Sequence, residues 1–304
     1  MDRFVVSVEG LIKRYGSITA VDEVSFQVKK GEVFGLLGPN GAGKTTILEC
    51  LEGMRQSDGG TLSVKGCDPQ LNKRRLREIL GVQLQASSLP EGIRPGEAME
   101  LICAWHGVST RFDILNRFGI DSESKKQYRE LSTGQKRRLH LAMALAGDPE
   151  VLILDEPTAG LDVEGRAQLH DSIRQLKAKG VTILLATHDM AEAESLCDRI
   201  AILIRGRIAA IGAPAEITSS GNVETKITLR TKRNYLLPGR DIGDARFINQ
   251  TENYGVWLCR DTATAVMELL KEVQRCDDSV EDLRVERPSL EERFLELIQG
   301  GVKH

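Results

Sequence analysis

The chain has 304 residues, of which 41% are apolar and 28% charged, and its formal net charge is −3. This balance is typical of a soluble globular protein of roughly two domains, and it lacks the basic excess of a protein that binds nucleic acid. No stretch reaches the roughly 18 apolar residues of a membrane-spanning helix, and the N-terminus lacks the apolar stretch of a signal peptide. The six cysteines show no CxxC spacing and indicate free thiols. We therefore expect a cytoplasmic protein.

Short apolar runs and helical patterns alternate through the first two thirds of the chain. Four runs predict strands buried on both faces, namely 33–37, 151–154, 181–186 and 200–204. The pattern at 163–179 predicts a helix between two of them, so we expect an α/β fold with a mostly parallel sheet. Segments 5–8 and 24–28 alternate more and predict an antiparallel β piece, and residues of about 87–147 predict an inserted helical subdomain.

A change of composition at "GAPAEITSSGN" predicts a domain boundary. We place one domain at 1–217 and a second, small α+β domain at 222–304. The predicted elements of the second domain are strands at 226–231, 255–260 and 280–285, a helix at 262–274, and a closing helix in "PSLEERFLELI". Ser289 and Glu292 have the spacing of a capping box at the start of that closing helix.

The stretch "LLGPNGAGKTTI" contains the pattern GxxxxGK[ST] between a predicted strand and a predicted helix. Glycines let the backbone approach a polyphosphate, and the amides and helix N-terminus favour its negative charge. Lys44 would reach the β- and γ-phosphates, and the hydroxyl of Thr45 would hold Mg²⁺. The predicted nucleoside-triphosphate site consists of Gly38, Pro39, Asn40, Gly41, Ala42, Gly43, Lys44, Thr45 and Thr46.

Two adjacent carboxylates follow the apolar run in "VLILDEPTAGLD". Side chains of successive strand residues face opposite ways, so we expect Asp155 and Glu156 to have different roles. Asp155 would support Mg²⁺ through water. Glu156 would orient or deprotonate the attacking water.

Ser132 and Gln135 in "LSTGQKRRL" have the spacing of a capping box and predict a helix start. Its free amides form a second anion-binding end. Because one phosphate cradle already serves one nucleotide, this end suggests binding in trans to a nucleotide held by another copy. An ordinary N-cap on a surface helix explains the same spacing.

In the order of these motifs, the chain resembles the nucleotide-binding subunit of ABC transporters over about residues 3–217. The resemblance implies that Gly38–Thr46 is the P-loop for ATP and that 131–135 is the signature sequence that binds ATP in trans through Ser132, Thr133, Gly134 and Gln135. Thr133 stands where the family usually has a glycine. The resemblance also implies that Asp155 and Glu156 are the metal-supporting and catalytic acids, and that "AGLD" links two active sites.

Three further roles come from the resemblance alone. Gln85 is similar to the glutamine that senses Mg²⁺ and contacts the membrane subunit, His188 to the histidine that holds the γ-phosphate, and Tyr15 to the aromatic that stacks on adenine. Outside the family, His188 would be a hydrogen-bonded structural residue and Tyr15 a turn residue.

The C-terminal "VERPSLEERFLELIQG" resembles the tail of subunits that drive exporters of drugs, antibiotics and polysaccharides. The implied function is ATP hydrolysis that powers a membrane exporter, with ATP and Mg²⁺ as cofactors. The implied partners are a membrane-spanning permease, which holds the chain at the inner face of the membrane, and a second copy or a related cassette. The alternatives are a soluble ABC ATPase acting on nucleic acid or ribosomes, an ATP-gated binding module, and an importer ATPase.

Overall fold

The computed structural model describes residues 4–83, 89–120, 125–220, 224–234, 240–286 and 288–300. Contacts divide the chain into two compact units, Met1–Pro214 and Ala215–His304. The sequence had placed this division within 212–222, and independent folding of each unit stays a prediction. No helix in the described ranges is long and apolar enough to cross a bilayer.

The first unit contains two sheets and the helices that cover them. Its strands are β1 (Phe4–Tyr15), β2 (Ile18–Lys29), β3 (Val33–Leu37), β4 (Gly59–Val64), β5 (Leu80–Gln83), β6 (Val151–Asp155), β7 (Thr182–Thr187), β8 (Arg199–Ile204) and β9 (Arg207–Gly212). Its helices are α1 (Lys44–Leu51), α2 (Lys73–Ile79), α3 (Pro95–His106), α4 (Phe112–Arg117), α5 (Thr133–Ala144), α6 (Val163–Ala178) and α7 (Met190–Leu196), and α8 (Pro214–Ser219) begins where the unit ends.

The larger sheet has the strand order β5-β6-β7-β3-β8-β9. Its pairs are parallel except for β8 with β9. Every residue of β3, β6 and β7 is buried, as expected for strands covered on both faces. Because these strands are parallel, their carboxyl ends lie side by side: Leu37 pairs with Thr187, and Asp155 pairs with Ala186. The chemistry-bearing residues that follow the strands therefore meet at one edge.

The smaller sheet is antiparallel, with the order β2-β1-β4, as the alternating N-terminal segments predicted. It shares a core with the larger sheet. The rings of Phe26 on β2 and Phe34 on β3 stack with centroids 5.1 Å apart, and Ile47 of α1 belongs to the same buried cluster. This packing holds α1, and with it the loop before α1, against the sheet edge.

The second unit begins within α8 and contains a four-stranded antiparallel sheet. Its further elements are β10 (Thr225–Thr231), β11 (Arg246–Thr251), β12 (Tyr254–Cys259), α9 (Thr262–Arg275), β13 (Val280–Glu286) and α10 (Leu290–Gly300). The strand order is β11-β12-β10-β13. Trp257 is fully buried and donates its indole N–H to the Arg240 carbonyl at 3.0 Å. The predicted capping box of α10 is present, because Ser289 and Glu292 exchange backbone-to-side-chain hydrogen bonds. The predicted fold class is confirmed, whereas strands β4, β5, β9 and β11 were not predicted.

Candidate functional site

The loop between β3 and α1 forms a cradle at the carboxyl edge of the sheet. Its glycines are required by the geometry at two positions. A Cβ on Gly38 would lie 2.5 Å from the Leu203 carbonyl oxygen, and Gly43 has φ 103° with a Cβ position 2.6 Å from the Ala20 carbonyl oxygen. The cradle borders a groove of about 460 Å³ lined by Ala20, Pro39, Asn40, Gly41, Ala42, Gly43, Lys44, Thr45, Thr46 and Glu156.

Lys44 places a buried ammonium group in this cradle. It is only 5% exposed, and its Nζ donates to the carbonyls of Gly38 at 2.7 Å and Pro39 at 3.3 Å. The same nitrogen lies 3.3 Å from Glu156 Oε1. The positive charge therefore adds to the N-terminal dipole of α1 at the point where a polyphosphate would lie.

Thr45 and Asp155 offer a donor set that suits a divalent cation. Thr45 Oγ1 donates to Asp155 Oδ2 at 3.0 Å, whereas the buried Asp155 Oδ1 has no hydrogen-bond partner among the described residues. Burial raises the pKa of the Asp155 carboxyl, while the Thr45 hydrogen bond opposes the shift. A hydroxyl and a carboxylate with an unsatisfied oxygen are ligands that Mg²⁺ prefers.

The alternation of side chains along a strand does not determine where the Glu156 side chain points. The strand ends at Asp155, and Glu156 has a left-handed φ of 48°. Its side chain therefore turns back toward the cradle, where its two oxygens lie near Lys44 and His188. Glu156 lines the cradle groove, whereas Asp155 does not line it and accepts a hydrogen bond from Thr45, so the two carboxylates have different partners.

His188 follows β7 and completes this cluster. Its Nδ1 lies 2.7 Å from Glu156 Oε2, and its side chain is 55% exposed. It is thus hydrogen-bonded, but to the predicted catalytic acid and not to a residue of the core. The parallel pairing of β3, β6 and β7 is the reason that Lys44, Glu156 and His188 come together.

The predicted ATP contact Tyr15 does not line this groove. The Tyr15 ring lies beneath two cations, 5.6 Å from Lys13 Nζ and 5.2 Å from Arg55 Cζ, and it is absent from the groove lining. Its stacking on adenine stays a prediction. Gln85 lies outside the described residues. Conversely, Ala20 lines the groove without having been predicted, because an alanine on a strand carries no sequence signal for a ligand.

The predicted helix start at Ser132 is present at the N-terminus of α5. Ser132 Oγ accepts a hydrogen bond from the backbone N–H of Gln135 at 3.2 Å, and Gln135 Oε1 accepts one from the backbone N–H of Ser132 at 2.8 Å. This end borders a separate groove of about 420 Å³, whose lining includes residues 132–134 and 160–162. It shares no lining residue with the cradle groove.

Buried His140 helps to hold the segment before this helix start. Its Nε2 lies 3.0 Å from the Tyr128 hydroxyl, and burial, with a smaller contribution from the Arg137 charge, lowers its pKa to about 4. The pKa of His140 in the folded chain lies below its unfolded value of about 6.5. The contribution of neutral His140 to folding stability is therefore complete above pH 6.5 and is lost as pH falls toward 4.

The parent chain should lose about 2–3 kcal/mol of unfolding free energy between pH 6.5 and 4 through this histidine. We therefore expect His140→Gln, which cannot titrate, to lack that part of the pH dependence. Urea unfolding across this range measures the slopes. Tyr128→Phe is the control that should retain the parent slope, because it preserves burial, the largest cause of the shift. Parallel slopes for the parent chain and His140→Gln would show that this histidine is not the titrating group.

The GxxxxGKT loop lies between strand β3 and helix α1, and the carboxylate pair lies at the end of β6, two strands away in the sheet. These features define a P-loop nucleoside-triphosphate-binding protein. The family model described as "ABC transporter" matches residues 21–159. The chain is 34% identical to the daunorubicin resistance ATP-binding protein DrrA3 of Streptomyces coeruleorubidus, over 96% of this chain and 95% of that protein. It is 42% identical to a Nod factor export ATP-binding protein I of Ralstonia nicotianae, over 70% of this chain and 68% of that protein.

Solved structures agree with these sequence matches. The ATP-binding subunit of an ABC transporter superposes with a TM-score of 0.65 at 29% identity, covering 70% of this chain and 91% of that one. A nucleotide-free ATP-binding cassette at 24% identity shows the same fold, with a TM-score of 0.63 over 69% of this chain and 91% of that one. The chain belongs to the ABC transporter family as an ATP-binding, ATP-hydrolysing cassette protein. The predicted family is confirmed.

Proposed function

We propose that the chain is the ATP-hydrolysing subunit of an ABC exporter, and that two cassettes close over ATP in each cycle. The observation that carries the proposal is the separation of the two anion-binding ends. The cradle with Lys44 and Glu156 borders one groove, and the Ser132 helix start borders another. Each groove supplies half of a phosphate site, so a head-to-tail pair of chains completes both halves.

In this mechanism the cradle amides and Lys44 bind the triphosphate and spread its charge. Thr45 and Asp155 would hold Mg²⁺, which supplies charge neutralisation at the phosphates. Glu156 accepts a proton from, or orients, the attacking water, and His188 positions Glu156 through their 2.7 Å contact. Loss of the γ-phosphate removes the shared anion, and the pair opens.

Gly134 supports the role of the Ser132 helix start in trans. A Cβ at Gly134 would meet only Leu161 at 3.8 Å and Ser132 Oγ at 4.0 Å, which are ordinary contacts. The described part of the chain therefore does not itself require glycine there. Close approach of a phosphate from a second copy does explain the missing side chain. Thr133 in the neighbouring position is exposed, and we expect it to change the fit more than the activity.

A second groove of the first unit supports docking of a membrane-spanning permease. This Trp105 groove, of about 330 Å³, is lined by Glu52, Met54, Arg77, Leu80, Gly81, Val82, Gln83, Leu89, Ile102, Trp105, His106, His140, Met143 and Ala144. Met54 and Trp105 are 64% and 63% exposed, although both are apolar. Exposed apolar patches of this kind are typical of protein interaction sites. Ile102, Trp105 and His106 of this lining lie on α3, and docking there would hold the chain at the inner membrane face.

Export is favoured over import and over action on nucleic acid. DrrA3 carries a resistance name and matches nearly the whole chain, and the Nod factor relative carries an export name. The net charge of −3 gives no support for nucleic-acid binding.

Lys44→Ala tests the first step of this function. We expect ATP affinity to fall by about 10–100-fold, because a charge-assisted contact to phosphate is lost. Titration of a fluorescent ATP analogue measures this change, and chelation of Mg²⁺ should stop phosphate release by the parent chain. Lys30→Ala removes an exposed lysine and should leave both properties unchanged. If Lys44→Ala binds ATP like the parent, the cradle is not the nucleotide site.

A further inference from the structure

Two polar side chains inside the Trp105 groove have no partner in the described part of the chain. Gln83, the last residue of β5, is 1% exposed, and neither its Nε2 nor its Oε1 makes a hydrogen bond. Glu52, which follows α1, is partly buried, and both of its carboxylate oxygens are likewise unsatisfied. Leaving such groups unpaired costs about 1–3 kcal/mol each. The unpaired oxygens of Glu52 and Gln83 on a groove wall therefore indicate a ligand that donates hydrogen bonds.

The charges around Glu52 define the sign of that ligand. Burial, and to a smaller extent the acidic charges of Asp155 and Glu49, raise the pKa of Glu52 to about 7. Arg77 also lines the groove, but its guanidinium lies over the Trp105 ring at 4.7 Å. In the described ranges no cation forms an ion pair with Glu52.

We propose that the Trp105 groove binds an arginine side chain of the permease partner, with Glu52 and the Gln83 carbonyl oxygen accepting its guanidinium hydrogen bonds. This inference rests on the proposed function, because the arginine belongs to the membrane-spanning subunit. A guanidinium supplies five donors in a fixed fork, which can satisfy acceptors on two side chains at once. Its aliphatic stem packs against the apolar wall formed by Leu80, Ile102 and Trp105.

The size and composition of the groove suit this occupant. Its volume of about 330 Å³ accommodates one long side chain but not a folded element. An acidic side chain would have to lie beside Glu52, with Asp155 and Glu49 nearby, and would be repelled. A purely apolar side chain would leave Glu52 and Gln83 unsatisfied, at a cost that grows as water is excluded.

The test uses the full chain and two short peptides. Acetyl-Leu-Arg-Leu-amide is the probe, and acetyl-Leu-citrulline-Leu-amide is its neutral isostere. We expect the arginine peptide to change Trp105 fluorescence and to shift the Gln83 side-chain amide resonance, and to bind about tenfold or more tightly than the citrulline peptide. Trp105→Phe identifies the fluorescence signal, since the chain has only two tryptophans.

Glu52→Gln keeps the size of the side chain and should bring the arginine peptide to the affinity of the citrulline peptide. Glu78→Gln is the matched control: its exposed carboxylate on α2 is already paired with Arg75, and parent affinity is expected. Equal binding of the two peptides, or unchanged binding in Glu52→Gln, overturns the proposal. Tighter binding of spermidine than of the peptide would assign the site to a free polyamine and also overturn it. The peptides need neither ATP nor a second copy, so these results are independent of ATP-driven pairing.

Discussion

Glu156→Gln is expected to reduce ATP turnover by at least about a hundredfold while leaving ATP bound. The amide keeps the shape of the side chain but cannot accept a proton from water. Lys44 and the cradle amides remain in place, so the triphosphate should stay between two chains and accumulate as an ATP-bound pair. Phosphate release measures turnover, and light scattering coupled to gel filtration measures pairing in ATP.

The matched control for this change is Glu150→Gln. Glu150 immediately precedes β6, is exposed, and pairs with Lys65 on the surface. It undergoes the same chemical change on the same segment and should hydrolyse ATP like the parent. Parent-like hydrolysis by Glu156→Gln would remove Glu156 from the role of catalytic base.

Gly134→Asp should abolish ATP-driven pairing without preventing ATP binding to the single chain. A carboxylate in the first turn of α5 stabilises that helix by about 0.3–1 kcal/mol, and an added Cβ meets no atom closer than 3.8 Å. In the pair, however, this carboxylate would face the triphosphate bound by the second copy and would be repelled by it. We therefore expect the affinity of pairing to fall about a hundredfold or more.

The experiment is best done in the Glu156→Gln background, where the pair is expected to persist. Gly92→Asp introduces the same charge at an exposed glycine with no atom within 4 Å of an added Cβ, and it should pair normally. The key comparison combines light scattering in ATP with thermal unfolding. A Gly134→Asp chain that is stable, binds ATP and still pairs like the parent would contradict binding of the Ser132 helix start in trans.

Features that depend on residues close together in the sequence could be predicted, whereas features that depend on contacts between distant segments could not. The P-loop, the buried strands and the capping boxes at Ser132 and Ser289 depend on neighbouring residues, and all could be located from local pattern. The missed strand β9 has alternating burial and pairs antiparallel with β8 at the sheet edge. Its run of four apolar residues, 208–211, is as long as the run that predicted β6. Its place as an antiparallel edge strand depends on pairing with β8, which the local pattern does not record.

Local sequence by itself determined that this chain carries a phosphate cradle, an acid pair and a second capped helix start, because each depends on residue types at fixed short spacing. Only the tertiary structure decided that Glu156 turns back toward Lys44 from a left-handed backbone, and that Tyr15 lies beneath Lys13 and Arg55. It also decided that Glu52 and Gln83 share one groove. Those arrangements join elements far apart in the chain, and their geometry depends on the packing of strands and helices that no local pattern records.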